Sequence, residues 1–366
     1  MKAALDRALN VLRDDVRAMS PYQVHSAAGL IKLDSMENPY RLSDDLQRAL
    51  GERLGRVAIN RYPAERTQEL AWALAAHTKM PAGKALMLGN GSDELISLLA
   101  MAVCKPGETV TVLSPVPGFV MYELSAKYQH LDFVGVPLTA DFELDEAAML
   151  AAIERHQPAI VYLAYPNNPT ANLWDDAVIE RIVAAAPGLV VMDEAYQPFA
   201  ERDAMGLMAR HPQVLVMRTM SKFGLAGVRI GYLMGNAELI QHIDKLRPPY
   251  NVSVLNAEAG LFALEHAEVY DRQAAELRAE RERLQAALAS LPDVHAYPSQ
   301  GNMILVRVPD ANALHAGMKA RGVLVKNVSG MHPLLARCLR LTVGTPQENA
   351  AMVAALRASL AEAGAR

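Results

Sequence analysis

The stretch Arg218-Thr-Met-Ser221-Lys222-Phe-Gly224-Leu-Ala-Gly227-Val-Arg229-Ile-Gly231-Tyr232 holds the residues best suited to chemistry. It follows the apolar run Val214–Met217, which reads as a buried strand. A lysine where a strand meets a loop can form a Schiff base with an aldehyde cofactor once its surroundings lower its pKa. Arg229, seven residues after Lys222, carries a fixed fork of donors suited to a phosphate. Pyridoxal phosphate (PLP) needs both, an amine for its aldehyde and a cation for its phosphate. A surface lysine beside a helix-capping arginine is the plainer reading, and Ser-Lys alone does not defeat it.

Three further stretches sit where strands should end. Gly89-Asn90-Gly91-Ser92-Asp93-Glu94 lies between an apolar run and a helical pattern. Its glycines let the backbone approach a ligand, and the free N–H groups of a helix start favour an anion. It lacks the Gly-Lys-Ser/Thr of a nucleotide loop, and Glu94 stands where a dinucleotide fingerprint needs glycine. Tyr165-Pro166-Asn167-Asn168-Pro169-Thr170 reads as a stiff turn with outward amides. In Val191-Met192-Asp193-Glu194-Ala195-Tyr196, Asp193 ends an apolar strand. A carboxylate there is costly unless it meets a cation. A protonated pyridine nitrogen is one such cation, and a structural ion pair is the competing account. Tyr196 would lie within reach of a phenolic oxygen on the same ring.

The elements that must position these stretches follow from hydrophobic pattern. Strand-length apolar runs at Ala85–Leu88, Val110–Leu113, Asp132–Val136, Ile160–Ala164, Leu189–Met192, Val214–Met217 and Ile230–Met234 alternate with helical segments. Continuous apolar runs mark strands buried on both faces, and the spacing suits β-α-β crossovers. The short link from Met217 to Ile230 allows the last strand to run antiparallel. The expectation is an α/β fold with a mostly parallel seven-stranded sheet in a large domain and a smaller α+β domain. Residues 1–40 form an N-terminal arm and part of the small domain, 41–265 the large domain and 266–366 the small C-terminal domain. The pattern predicts one amphipathic helix over residues 1–20 and another from Ser43 to Leu54 with Ser43 as its cap. A long helix over Val269–Leu291 carries Leu277, Leu284, Leu288 and Leu291 on one stripe, and its charges read as a solvated face.

Composition narrows the classes. A net charge of -4, with no basic arm, argues against nucleic acid as the main partner. The two cysteines, Cys104 and Cys338, make neither a disulfide framework nor a metal cluster, so no metal is expected. No window approaches the ~18 apolar residues of a membrane span, and Met1 to Met19 lacks a signal peptide's apolar core. A cytoplasmic protein is expected.

In their order along the chain, these motifs resemble those of fold-type I PLP-dependent aminotransferases, and within them the histidinol-phosphate aminotransferase family. The resemblance runs from Tyr22 to Thr345 and adds Leu33-Asp34-Ser-Met36-Glu37-Asn38-Pro39, Arg61-Tyr62-Pro63 and Leu339-Arg340-Leu-Thr-Val343-Gly344-Thr345. It implies that Lys222 is the Schiff-base lysine and the acid/base of the proton shift. It implies that Asp193 pairs with the pyridine nitrogen, that Asn168 and Tyr196 hold the ring oxygen, and that Phe119 stacks on the ring. Ser221, Arg229 and the turn Gly91-Ser92-Asp93 would hold the phosphate. Tyr62 would reach the phosphate in the neighbouring subunit of a homodimer. Tyr22, Asn38, Lys326 and Arg340 would meet the substrate. Lys326 stands where many relatives carry a second arginine, and an ammonium cannot grip a phosphate bidentately. Met36 and Ala171 also depart from the pattern, at positions that touch no group needed for the chemistry.

The activity so implied is transamination between histidinol phosphate and 2-oxoglutarate, giving imidazole-acetol phosphate and glutamate in histidine biosynthesis. No short motif specifies an imidazole ring. An aromatic amino-acid aminotransferase and a decarboxylase of a phosphorylated amino acid are therefore the alternatives on this scaffold. A non-catalytic PLP-binding regulator is a remote third, since Lys222 is intact.

Overall fold

The computed structural model describes residues 2–20 and 26–364. The first strand, β1 (Ile31–Leu33), belongs to a smaller sheet described below. The next strands are β2 (Lys84–Gly89), β3 (Thr111–Val116), β4 (Asp132–Pro137), β5 (Ile160–Ala164), β6 (Leu189–Asp193), β7 (Val214–Thr219) and β8 (Gly231–Asn236). These form a seven-stranded sheet in the order β2-β8-β7-β6-β5-β3-β4. Only β8 runs against its neighbours, β2 and β7, as the short link before it allowed.

Side chains that alternate along these strands divide between two apolar clusters, one on each face. Val161, Leu163, Val190, Met192, Val214 and Val216 enter one, while Tyr162, Ala164, Val191, Leu215 and Met217 enter the other. This explains why the strands read as unbroken apolar runs. Helix starts are fixed locally by Ser43, Asp145, Asp175, Asn236 and Ser253, whose side chains accept from backbone N–H groups of the first turn. The chain turns from β3 outward to β4 and then crosses back to β5 on the other side of β3. The gap between the carboxyl ends of β3 and β5 is therefore the switch point at which open sheets bind ligands.

The smaller sheet continues with β9 (His295–Ala296), β10 (Met303–Arg307), β11 (Val323–Asn327) and β12 (Cys338–Thr342), in the order β1-β11-β12-β10-β9. Strand β1 pairs in parallel with β11, which carries an early segment of the chain into the C-terminal unit. Among the described residues no helix is long and apolar enough to cross a membrane.

Two expectations need correction. The N-terminal segment forms two short helices, Lys2–Leu9 and Asp14–Ala18, in place of one. Between them Arg13 donates to the carbonyls of Lys127 and Tyr128, capping the end of helix Met121–Tyr128. The charges of the long helix, Ala267–Ala289, are not all solvated, because Glu280 and Arg281 are buried. Glu280 accepts from Asn349 Nδ2 at 2.9 Å and pairs with Arg283. Arg281 Nη1 donates to the carbonyls of Phe199 and Gly301, tying the helix to the turn Gln197–Phe199 of the large unit and to the link before β10.

Arg281→Ala strips the Phe199 carbonyl of its donor, leaves the Gly301 carbonyl with Ser299 Oγ alone and empties the space of the stem. It should destabilise the protein by roughly 2–4 kcal/mol, a range set by buried polar groups left unmatched. Glu282→Ala, on the exposed side of the same turn, should cost under ~0.5 kcal/mol. Urea unfolding of both variants checks the contrast.

Candidate active site

The carboxyl ends of β3, β5, β6 and β7 and the facing ends of β11 and β12 enclose a cavity of about 490 Å³. Beyond β7 the chain makes an irregular turn over Ser221–Leu225. Gly224 takes φ 142°, and a Cβ there would lie 2.7 Å from the Tyr270 ring, so both conformation and space demand glycine. The turn presents Lys222 to the cavity, where Nζ donates to the Ser35 carbonyl at 2.8 Å. Burial, helped by the positive charge of Arg340, lowers the Lys222 amine to about pKa 8.

Arg229 is held in the left-handed region, φ 56°, and its guanidinium returns toward the turn before helix Ser92–Val103. A Cβ on Gly91 would sit 2.7 Å from Arg229 Nη2, and one on Gly231 would sit 2.5 Å from the Gly91 carbonyl carbon. Both positions need glycine for this close approach. Helix Ser92–Val103 begins at Gly91 with no side-chain cap, which leaves the N–H groups of its first turn available to an anion. Arg229 lies 3.5 Å from both Ser221 Oγ and Asp93 Oδ2. Glu94, read as a mismatch to a nucleotide motif, clamps the turn by accepting from Asn90 N and Asn251 Nδ2.

Asp193 closes β6 and is buried. Its Oδ2 accepts from the Tyr122 hydroxyl at 2.6 Å and its Oδ1 from Ala195 N at 3.1 Å. Burial nevertheless raises its carboxyl to about 6, against the lowering effect of those two donors. The linkage runs in opposite senses for the two groups. Lys222 binds fewer protons folded than unfolded between about pH 8 and the ordinary lysine range, so its contribution to stability rises with pH there. Asp193 binds more protons folded between the ordinary carboxylate range and about 6, so its contribution falls as pH rises through that window. Tyr196 is buried beside them, and burial pushes its phenol up.

The small sheet supplies cations. Lys326 and Arg340 are directly opposed in the antiparallel β11–β12 pair, so their side chains share one face. Both line the cavity. Arg340 Nη1 donates to Asn168 Oδ1 at 2.7 Å, and Nη2 donates to the Asp34 carbonyl at 2.8 Å.

Of the residues singled out in the sequence, Ser92, Asp93, Phe119, Asn168, Asp193, Tyr196, Ser221, Lys222, Arg229, Lys326 and Arg340 line this cavity, and Gly91 stands directly behind Arg229. Asn38 does not line it. Its amide nitrogen donates to Gln273 Oε1 and the Phe223 carbonyl, and its oxygen accepts from Tyr40 N. Tyr62 lies elsewhere, exposed and stacked on Tyr250 at 4.3 Å. Tyr22 falls outside the described residues. Sequence reasoning missed Tyr122, the carbonyls of Asp34 and Ser35, and Met331 on the cavity wall. Tyr122 had a signal, its three-residue spacing from Phe119 at the start of a helix. The backbone carbonyls had none.

The sequence matches the family model described as aminotransferase class I and II over residues 28–356. The chain belongs to this family. It is 65% identical to a histidinol-phosphate aminotransferase of Methylibium petroleiphilum over 97% of this chain and 96% of the relative. It is 61% identical to one of Paracidovorax citrulli, over 98% of this chain and all of that protein. The fold matches the crystal structure of the Sinorhizobium meliloti histidinol-phosphate aminotransferase in complex with pyridoxal-5'-phosphate, with a TM-score of 0.84 at 24% identity, covering 96% of this chain and 98% of that one.

PLP fits the residues present. A desolvated amine, a buried carboxylate with no ion pair among the described residues, and an uncapped helix start beside Arg229 and Ser221 suit its aldehyde, ring nitrogen and phosphate. In the cofactor-free protein, labelling of Lys222 by trinitrobenzenesulfonate should level off above about pH 8. Lysines of ordinary pKa, about 10.4, should go on gaining. Peptide mass spectrometry reads the difference, and a Lys222 profile still rising beyond pH 10 would contradict the desolvated environment.

Proposed function

We propose that this chain transfers the amino group of histidinol phosphate to 2-oxoglutarate with PLP as cofactor, yielding imidazole-acetol phosphate and glutamate. The observation that carries this reading is the convergence of Lys222, Asp193, Arg229 and the opposed pair Lys326–Arg340 on one cavity. The two close relatives named histidinol-phosphate aminotransferase support the choice of substrate.

Bound PLP would act as an electron sink for the bonds at the substrate's α-carbon. Lys222 Nζ takes the proton from that carbon and returns it during the exchange. Asp193 holds the ring nitrogen in its protonated form. Asn168 and Tyr196 would meet the ring oxygen, and Phe119 would pack against the ring. Arg229, Ser221 and the N–H groups after Gly91 hold the phosphate. Arg340 accepts either the carboxylate of glutamate or the phosphate of histidinol phosphate, since its fork suits both shapes. Lys326 adds a second positive charge on the same face, which favours the dianion.

The active unit in this reading is a homodimer working in the cytoplasm, with Tyr62 serving the neighbouring site. Tyr62 and Ile59 are more than 70% exposed beside a wide cavity that includes Arg61 and Arg66, which supports a contact there with a second copy. Tyr22 and Asn38 are kept as substrate-side candidates, Asn38 acting through the segment it braces.

Specificity constants for histidinol phosphate, phenylalanine and tyrosine test the proposal in the parent, Arg340→Ala and Lys326→Ala. Arg340→Ala should weaken every substrate by roughly 1.5–3 kcal/mol, the worth of charged hydrogen bonds. Lys326→Ala should harm histidinol phosphate more than phenylalanine. A parent enzyme that prefers phenylalanine outright, or one that releases carbon dioxide, would overturn the substrate or the reaction.

A further inference from the structure

The carboxylate of Asp193 has one side-chain hydrogen-bond donor among the described residues, and the roles proposed above leave that donor unused. It is Tyr122, only 1% exposed, whose hydroxyl lies 2.6 Å from Oδ2. Its ring is stacked on Tyr162 with centroids 4.3 Å apart and planes 4° from parallel. Phe119 meets it edge-on at 5.6 Å. The ring thus cannot turn without breaking two aromatic contacts. Tyr162 contributes its ring alone, since its buried hydroxyl has no hydrogen-bond partner.

We propose that Tyr122, clamped by Tyr162, is a positioning residue that keeps Asp193 ionised and aimed for the ring nitrogen of the cofactor. This rests on the reading that PLP occupies the cavity with its nitrogen at Asp193. A hydroxyl that donates to a carboxylate favours its charged form, and a short O–H···O⁻ bond is among the stronger ones. Tyr122 stays a donor throughout the working range, because burial and the adjacent carboxylate hold its phenol well above the ordinary value. The other groups facing Asp193 give no equivalent help. Tyr162 on β5 and Tyr196 after β6 are neutral, and Asp93 at the start of helix Ser92–Val103 opposes ionisation. Lys222, Arg229 and Arg340 line the same cavity but make no hydrogen bond to the carboxylate. Ala195 N supplies the remaining donor from the backbone.

The test compares full-length Tyr122→Phe, Tyr162→Phe and Asp193→Ala with the parent. PLP affinity is measured by equilibrium dialysis at pH 6.5 and pH 8, and the visible absorption of the loaded enzyme is followed with pH. Taking the ratio of variant to parent at each pH cancels the titration of PLP itself. Tyr122→Phe keeps the ring and loses the hydroxyl, so it should weaken PLP binding, with about tenfold for each pH unit by which the carboxyl rises as the upper limit. The loss should be larger at pH 6.5 than at pH 8. The absorption transition should move in the same direction, and kcat should fall while KM for the amino donor holds. Tyr162→Phe should match the parent. Parent-like affinity of Tyr122→Phe at both pH values, with Asp193→Ala impaired, would overturn this inference alone. Parent-like binding by Asp193→Ala would instead overturn the placement of the ring nitrogen. Should Tyr122→Phe fail to fold, Tyr162→Leu, which removes the clamp but not the hydroxyl, should show the same pH-weighted loss, and its absence would overturn the proposal.

Discussion

The site depends on charge buried at the edge of a sheet that is apolar on both faces. Desolvation is what sets Lys222 near pKa 8 and Asp193 near 6. Both shifts make each group reactive or receptive while disfavouring its ordinary charge state. Packing makes those shifts possible, because the strand residues leading to both groups lie in continuous cores. A ligand with an anionic end and a cationic ring relieves the imbalance. Among the described residues both hydrogen-bond donors to the Asp193 carboxylate are neutral, and Asp93 opposes its charge.

The second sheet joins the first through shared apolar packing, with Ala171, Tyr196 and Phe199 set in its core, and through polar contacts around the cavity. Arg340 reaches from β12 to Asn168 on the large unit and to the Asp34 carbonyl ahead of helix Asp44–Gly55. Lys222 reaches to the next carbonyl, that of Ser35. Asn302 holds the carbonyl of Met36, and Thr342 accepts from Met36 N. The segment 34–36 is thus a strap held by both units across the cavity mouth. Its geometry ties the substrate-side cations to the cofactor-side lysine, so a change in either would be felt at the other.

Much of this was legible in the sequence because the residues involved obey local rules. The strands showed as apolar runs because they are buried twice, and Gly91, Gly224 and Gly231 hold positions where a side chain would meet Arg229, the Tyr270 ring and the Gly91 backbone. Asp193, and Lys222 with Arg229 after it, were readable as a set because they come at the ends of two successive strands. What stayed hidden is long-range and generic in type. Arg281 and Glu280 looked like solvent-facing charges of a long helix, yet their partners lie on Phe199, Gly301 and Asn349. Asn38 carried a family role in the sequence, while in the fold its amide braces Phe223 and Gln273. The spacing of Tyr122 from Phe119 marked an aromatic pair and no more, because the carboxylate that gives Tyr122 a role lies 71 residues further on.

The central claim is that the desolvated Lys222 is the group that takes the cofactor. The direct measurement is to load the full-length protein with PLP, fix the link with borohydride and map the modified peptide by mass spectrometry. One pyridoxyl group per chain is expected, on Lys222. A label on another lysine, or none despite tight PLP binding, would contradict it.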